Sequence, residues 1–472
     1  MTVKKDCVIV GSGISGLAIA FRLKKAGLDV CLLEKSPRVG GSILTEKQDG
    51  FLIDCGPNST LETSPKIGDF VKDVGLAAQK IYASDSAKNR YILRNGILNA
   101  LPMSPPAFLI SKLFSWKAKL RLFAEPFIAP APEDKEETIA EFVKRRLGQE
   151  FLDYAINPFI AGVYAGDPEK LSVRSAVAKI YALEKNYGSL IKGAIKGAKA
   201  RKKRTETDKT RAQLFSFKNG MAELVHAISA KIAETILTST EINQITKISE
   251  REYAISVKSN KIEKIIANSV IFTTPAFATA DFIQSFDTVC AGKLREIHYP
   301  PVAMVFFGFK NKNKVQCRPL DGFGFLVPKV EKRKILGTIW SSTLFPNRAP
   351  AGGIALTTFV GGMRQPEVLN CDDEALSNLV RSELADLLNL KGKPDIVKIK
   401  RWERAIPQYA LGHQQRIDAI EQLEKNNPGL FLSGNYRGGI SVGDCILQSE
   451  VVANLVIESV KKQEKSKVTV ES

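Results

Sequence analysis

Val8-Ile-Val-Gly11-Ser-Gly13-Ile-Ser-Gly16 opens the chain and decides its fold. Residues 6–10 form an unbroken apolar run, the pattern of a parallel strand buried on both faces. Residues 14–26 carry apolar side chains at helical spacing and end at Gly27, and residues 29–33 make a second strand ending at Glu34. In this turn Gly11 permits the tight bend, Gly13 lets the backbone approach a pyrophosphate, and Gly16 lets helix and strand close together. The phosphates would face free N–H groups at the helix N-terminus. Glu34, 23 residues after Gly11, stands where an acid accepts from a ribose hydroxyl. The unit predicts a Rossmann-like dinucleotide site.

A second glycine-rich segment, Gly434-Asn-Tyr-Arg-Gly438-Gly439-Ile-Ser-Val-Gly443-Asp444-Cys445, follows an apolar strand at 430–432 and precedes a helical stretch over 446–460. If both segments touch one nucleotide, the chain leaves the cofactor domain and later rejoins it. That arrangement suits FAD better than a nicotinamide. Arg38-Val-Gly40-Gly41, directly after the acid, adds an arginine and a glycine pair for a second phosphate contact. Gly443 opens a helix whose N-terminal amides would face the flavin pyrimidine. Asp444 accepts from a ribityl hydroxyl, caps that helix, or does both.

At 472 residues the chain exceeds a single core, so two or three domains are expected. A net charge of +18 calls for nucleic acid, an anionic membrane surface, or an anionic substrate and cofactor. The basic run Lys199-Ala-Arg-Lys-Lys-Arg204 reads as an exposed, mobile loop, but it lacks the interleaved aromatics of a nucleic-acid site. Seven scattered cysteines without a C-x-x-C pair read as reduced thiols. His226, His298 and His413 lack metal-ligand spacing, so no metal is expected. The N-terminus runs straight into the first strand, and no apolar run is long enough to span a bilayer, so a cytoplasmic protein is expected.

The fold class is α/β and α+β: a discontinuous Rossmann-like domain, a β-rich domain and a helical one. The expected boundaries are 1–90, 212–285 and 421–472 for the cofactor domain, 91–211 for the helical domain and 286–420 for the substrate domain. The tail beyond Lys461 reads as frayed. Within 101–132, Phe108, Leu109, Ile110, Leu113, Phe114, Trp116, Leu120, Phe123, Phe127 and Ile128 interleave with Lys112, Lys117, Lys119 and Arg121.

The middle of the chain carries further motifs. They are Asp54-Cys-Gly56-Pro57-Asn58-Ser59, Asn89-Arg90-Tyr91, Gly162-Val-Tyr-Ala-Gly166-Asp167-Pro168, Gly324-Phe-Leu-Val-Pro328 and Leu344-Phe-Pro-Asn-Arg348-Ala-Pro350. Trp402, Pro407-Gln408-Tyr409 and Gly412-His413 follow. With them the chain resembles the FAD-dependent protoporphyrinogen and coproporphyrinogen III oxidases over nearly its whole length. A flavin amine oxidase or a carotenoid desaturase would account for the two ends but not the middle, and a basic nucleic-acid binder for neither.

The resemblance implies six-electron oxidation of a porphyrinogen to a porphyrin in haem biosynthesis. Three hydride equivalents would pass from the macrocycle to flavin N5, with dioxygen reduced to hydrogen peroxide each time. No nucleophile or acid–base residue is called for; His413 beside Gly412 reads as structural. FAD is expected to be non-covalent, because the cysteinyl attachment pattern of amine oxidases is missing. By the family pattern the cofactor contacts extend to Ser15, Lys35, Gly56, Pro57, Asn58 and Ile242. Arg90 would hold a propionate, and Gly162, Val163, Phe323, Phe325, Leu336 and Ile339 would supply apolar walls. The apolar and basic 101–132 segment would lie on an anionic membrane surface at the cytoplasmic face, which favours protoporphyrinogen over coproporphyrinogen III. Haem-pathway enzymes and a second copy of the chain are further candidate partners.

Overall fold

The computed structural model describes residues 1–132, 135–201, 212–258 and 262–471, leaving aside the side chains of 198–201 and 462–471. Strand Thr2–Val10 lies in a seven-stranded sheet between Val30–Leu33 and Lys264–Phe272, both parallel to it. Ile236–Leu237 and Leu430–Leu432 extend the parallel part, each beside a strand far away in sequence. The chain therefore leaves this sheet after Leu33 and returns to it twice. An antiparallel pair, Glu241–Ser249 and Glu252–Lys258, continues the sheet on one side.

The unbroken apolar run of the first strand is explained by cover on both faces. Cys7 and Ile9 face Leu17, Phe21, Val452 and Val456, whereas Val8 and Val10 face Ile283, Leu294, Ile420 and Leu423. Helix Ile14–Lys25 packs on the C-terminal helix Val442–Glu471, and Arg22 Nε donates to Ser449 Oγ at 3.1 Å. The backbone of this last helix continues past Lys461, where the charge pattern reads as a frayed tail.

A second seven-stranded sheet runs in the order Ile396–Trp402, Val302–Phe309, Ile354–Gly361, Gly337–Ile339, Gly322–Leu326, Asn89–Arg94 and Ile97–Ala100. Helix Asp373–Leu388 covers one face through Leu376, Val380 and Leu384. The hairpin 89–100 belongs to this sheet, so the helical region starts at Pro105 rather than at 91. Alternating apolar residues at Tyr91 and Leu93 made it a strand, and its proximity to the helices in sequence masked that.

The region 105–201 is helical, as its periodicity predicts, and the last helix is Leu190–Arg201. Of the Lys199–Arg204 run read as a loop, Lys199–Arg201 instead end this helix, and Lys202–Arg204 lie outside the described residues. Leu113 and Phe114 are core, but Met103, Ile110, Trp116, Leu120, Phe123 and Phe127 are 59–89% exposed. Lys112 and Lys117 are exposed beside them. Lys119 is not: it is buried, and its ammonium donates to the carbonyls of Leu109 and Ser111 at 2.7 and 2.8 Å. Arg121 is likewise turned inward, onto the Arg145 carbonyl. The two serve the helix ends instead of an outer face. Among the described residues no helix is long and apolar enough to cross a membrane, and no His, Cys, Asp or Glu cluster suits a metal ion.

Candidate flavin and substrate site

Both glycine segments end at the same place. Thr273, just past strand Lys264–Phe272, donates its hydroxyl to the Gly11 carbonyl at 2.8 Å, and the Ser433 amide donates to Phe272 at 2.8 Å. A Cβ on Gly16 would overlap the Gly11 carbonyl oxygen, which fixes that position as glycine by helix–strand approach alone. A Cβ on Gly13 would meet nothing within 4 Å. Gly13 is the helix N-cap without a side-chain cap, so the first amides of the helix face that open space. This is the cradle a pyrophosphate requires.

Glu34 closes the adjacent strand and accepts from Ser12 N and Oγ at 2.9 and 2.6 Å and from Ser36 N at 2.8 Å. These bonds orient the carboxylate at the edge of the cradle. The 39–43 loop follows: Gly40 N donates to Ser12 O at 2.8 Å, and a Cβ on Gly41 would come 3.2 Å from the Gly13 Cα. Arg38 departs from expectation. Its guanidinium donates to the carbonyls of Val39, Gly41 and Ile43, so it braces the loop. Lys35 pairs with Glu241 at 2.7 Å, beside Ile242 on its strand.

Farther along, Gly56 packs where a Cβ would overlap the Ser42 carbonyl oxygen, and Asn58 Oδ1 accepts from Ser59 Oγ at 3.2 Å. Pro57 lies between them in the same loop, which Trp402 props by donating Nε1 to Cys55 O at 2.9 Å. Asp444 makes a capping box with Ser441: Ser441 Oγ donates to its carboxylate at 2.6 Å and accepts its amide at 3.1 Å. Gly443 N donates to Thr60 Oγ1 at 3.1 Å. Ser15 hydrogen-bonds Cys445, joining the two helix starts, while burial pushes the Cys445 thiol up to about 11. A protonated thiol is a poor nucleophile, in keeping with non-covalent flavin.

On the substrate side, Arg90 is exposed and its guanidinium stands 5.7 Å from the Phe323 ring. Among the described residues no carboxylate lies within ion-pair distance of it. Phe323 packs with Ile339, Leu344 and Phe345. Phe325, by contrast, is only 2% exposed in the core beneath helix Asp373–Leu388. Simple alternation would put positions 323 and 325 on one wall. A bulge separates them: two residues, Gly322 to Gly324, oppose one step from Asn89 to Arg90, and Gly324 sits at φ +140°. Leu336 is also buried, packed with Ala161 and Ala165.

The structure brings two unpredicted residues to this wall. Leu326 lies 2.6 Å from where a Gly162 Cβ would be, and Phe359 alone is not fully buried in strand Ile354–Gly361. Phe359 bridges the Leu336 cluster and the Phe51 cluster. Once Phe325 is placed in the core, alternation along 325–327 marks Leu326 as facing the other way; nothing in the sequence marks Phe359. Val163 is 41% exposed on the helix that carries Gly162.

Residues 14–457 match the family model for flavin containing amine oxidoreductases, and the chain belongs to that family as an FAD-dependent oxidoreductase. Its sequence relatives narrow this. It is 34% identical to protoporphyrinogen oxidase 2 of Arabidopsis thaliana, over 96% of this chain and 94% of that one. It is 32% identical to coproporphyrinogen III oxidase of Bacillus subtilis (strain 168), over 96% and 97%. A solved structure from Exiguobacterium sp. 255-15 shares the fold, with a TM-score of 0.79, 24% identity, and coverage of 96% and 99%. Within the flavin family, the chain groups with the protoporphyrinogen and coproporphyrinogen III oxidases.

Proposed function

We propose that this enzyme oxidises a porphyrinogen to the porphyrin, with protoporphyrinogen IX preferred and dioxygen as acceptor. The reading rests on one arrangement: an exposed guanidinium, Arg90, with no carboxylate partner among the described residues, at the rim of an apolar wall made by Phe323, Ile339, Leu326 and Gly162. A ligand that is mostly apolar, flat and carboxylate-bearing matches it. FAD, when bound, supplies the two-electron acceptor. The chain's part is to fix the macrocycle against it and to keep water out. Arg90 binds one propionate, and the apolar wall orients the ring.

The exposed row Met103, Ile110, Trp116, Leu120, Phe123 and Phe127, with Lys112 and Lys117, fits shallow contact with an anionic lipid surface. That contact would deliver a lipophilic substrate, which favours protoporphyrinogen. Coproporphyrinogen III is the second reading, favoured by the Bacillus relative. Flavin cofactor released on denaturation, oxygen uptake, and kcat/KM for both porphyrinogens on one preparation test the reading. A preparation that oxidises neither would overturn it.

A further inference from the structure

Behind the flavin-side loop stands a pair of rings that takes part in neither pocket. Loop 434–439 holds Gly434, Gly438 and Gly439 at φ +153°, +83° and +132°. Backbone of this kind has little stiffness of its own, so its shape is set by what it bonds to. The Tyr409 hydroxyl donates to the Asn435 carbonyl at 2.7 Å and accepts the Gly439 amide at 3.1 Å. A single oxygen thereby ties both limbs of the loop together. The ring stacks on the His413 imidazole, with centroids 4.0 Å apart and planes at 13°, and His413 Nε2 lies 3.1 Å from the Tyr436 carbonyl oxygen. Both side chains are buried, at 3% exposure each.

This support reaches in two directions. A Cβ on Gly439 would lie 2.6 Å from Asp444, so Gly439 is in close contact with the start of the C-terminal helix. On the opposite side Tyr164 meets the Tyr409 ring edge-on at 6.2 Å, and Gln408 Nε2 donates to the Tyr164 carbonyl at 2.8 Å. Tyr164 follows Gly162 and Val163 on the substrate-side helix. One buried tyrosine therefore connects the flavin-side loop to the helix that bounds the substrate.

We propose that Tyr409, seated on His413, is a positioning residue: its hydroxyl fixes loop 435–439 and the helix start at Ser441–Asp444 relative to the flavin, in register with the substrate helix. Only the turnover consequence rests on the porphyrinogen reading. The change that isolates the hydroxyl is Tyr409→Phe in the holoprotein, since the ring and its stack remain. FAD content should stay near the parent's and the protein should stay folded, with a urea midpoint lowered by the two buried bonds lost, while the visible flavin bands and the flavin midpoint potential shift. With porphyrinogen, kcat should fall about tenfold and KM change by less than about twofold.

Parental flavin bands, potential and kcat would overturn the proposal. So would a rise in KM alone, which would make Tyr409 a substrate contact, or loss of FAD or of the fold, which would make the hydroxyl a requirement for retention or folding. His413→Phe, which keeps a stacked ring but loses the bond to Tyr436, should show the same spectral shift in weaker form; no shift there also counts against it. The spectral and potential measurements need no porphyrinogen. If the substrate reading fails, the parent itself shows no turnover and these two readouts still decide the loop's role.

Discussion

Arg348 Nε lies 3.1 Å from Asp54 Oδ2, with the two side chains only 2% and 3% exposed. The pair is fully bonded: Asp54 also accepts from Thr45 Oγ1 at 2.6 Å and Met221 N at 2.9 Å, and Arg348 donates to Ser216 Oγ at 2.6 Å. Three distant segments meet here: the strand that leads to Gly56, the strand Leu214–Phe217, and the loop after Leu344. Removing one partner strands a buried charge. Arg348→Met should lower stability by about 3–5 kcal/mol, read from urea unfolding, and Arg348→Met with Asp54→Leu should recover much of that loss. A double variant no better than the single one would contradict this.

The two glycines of the dinucleotide turn should separate cofactor loss from fold loss. Space above Gly13 is open, whereas a Cβ on Gly16 collides with the Gly11 carbonyl. Gly13→Val should yield a folded, colourless protein whose circular dichroism matches the apoprotein. Gly16→Val should be recovered poorly or unfolded. Full flavin occupancy in Gly13→Val would remove the pyrophosphate from that position.

What the sequence made legible follows from how local each signal is. Strand, turn, helix and terminal acid in the first 34 residues are set by nearby spacing, and each lies where it was expected. The meeting of the Gly11 and Gly434 segments at the 272–274 turn was inferred from the need to share one nucleotide. Thr273 itself carried no mark. Phe325 went astray because the bulge at Gly324 shifts side-chain alternation, and a glycine between two phenylalanines was the only warning. Arg38 was assigned to phosphate on its place after the acid and beside a glycine pair, and Lys119 to headgroups on its charge among apolar residues, but their bonds go to carbonyls supplied by loop and helix ends, which periodicity does not reveal.

Arg90→Ala should leave flavin content and thermal unfolding unchanged, because the side chain is exposed and its neighbour is one ring face. Loss of a charge-assisted bond of about 1.5–3 kcal/mol should raise KM for the porphyrinogen roughly 10–100-fold. Arg90→Lys, a cation without the planar fork, should fall between. Parental kinetics in Arg90→Ala would remove it from the pocket.

The outward apolar row predicts lipid binding that depends on both of its components. Phe127→Glu with Ile110→Glu should weaken sedimentation with vesicles containing anionic lipid by about tenfold or more, since each residue offers a side chain 84–89% exposed. Lys112→Glu with Lys117→Glu should have a smaller effect that vanishes at high salt. Turnover of a soluble porphyrinogen should be unaffected in both. Unchanged vesicle binding in the first variant would assign the row to something other than lipid.

His413 gives the protein a stability that depends on pH. Burial, with Arg416 close by, lowers its imidazole to about 4, against the electrostatic pull of Glu136 and the bond to Tyr436 O. Unfolded, the group titrates near 6.5. Between these values the unfolded state binds more protons, so stability falls as pH drops from about 6.5 towards 4 and is flat above. A shift of this size should make the protein about 2 kcal/mol less stable at about pH 5 than at about pH 7.5, on account of this group alone. His413→Gln, which carries no titrating charge, should flatten the urea-midpoint profile across that window by the same amount. An equally steep profile in the variant would place the acid sensitivity in another group.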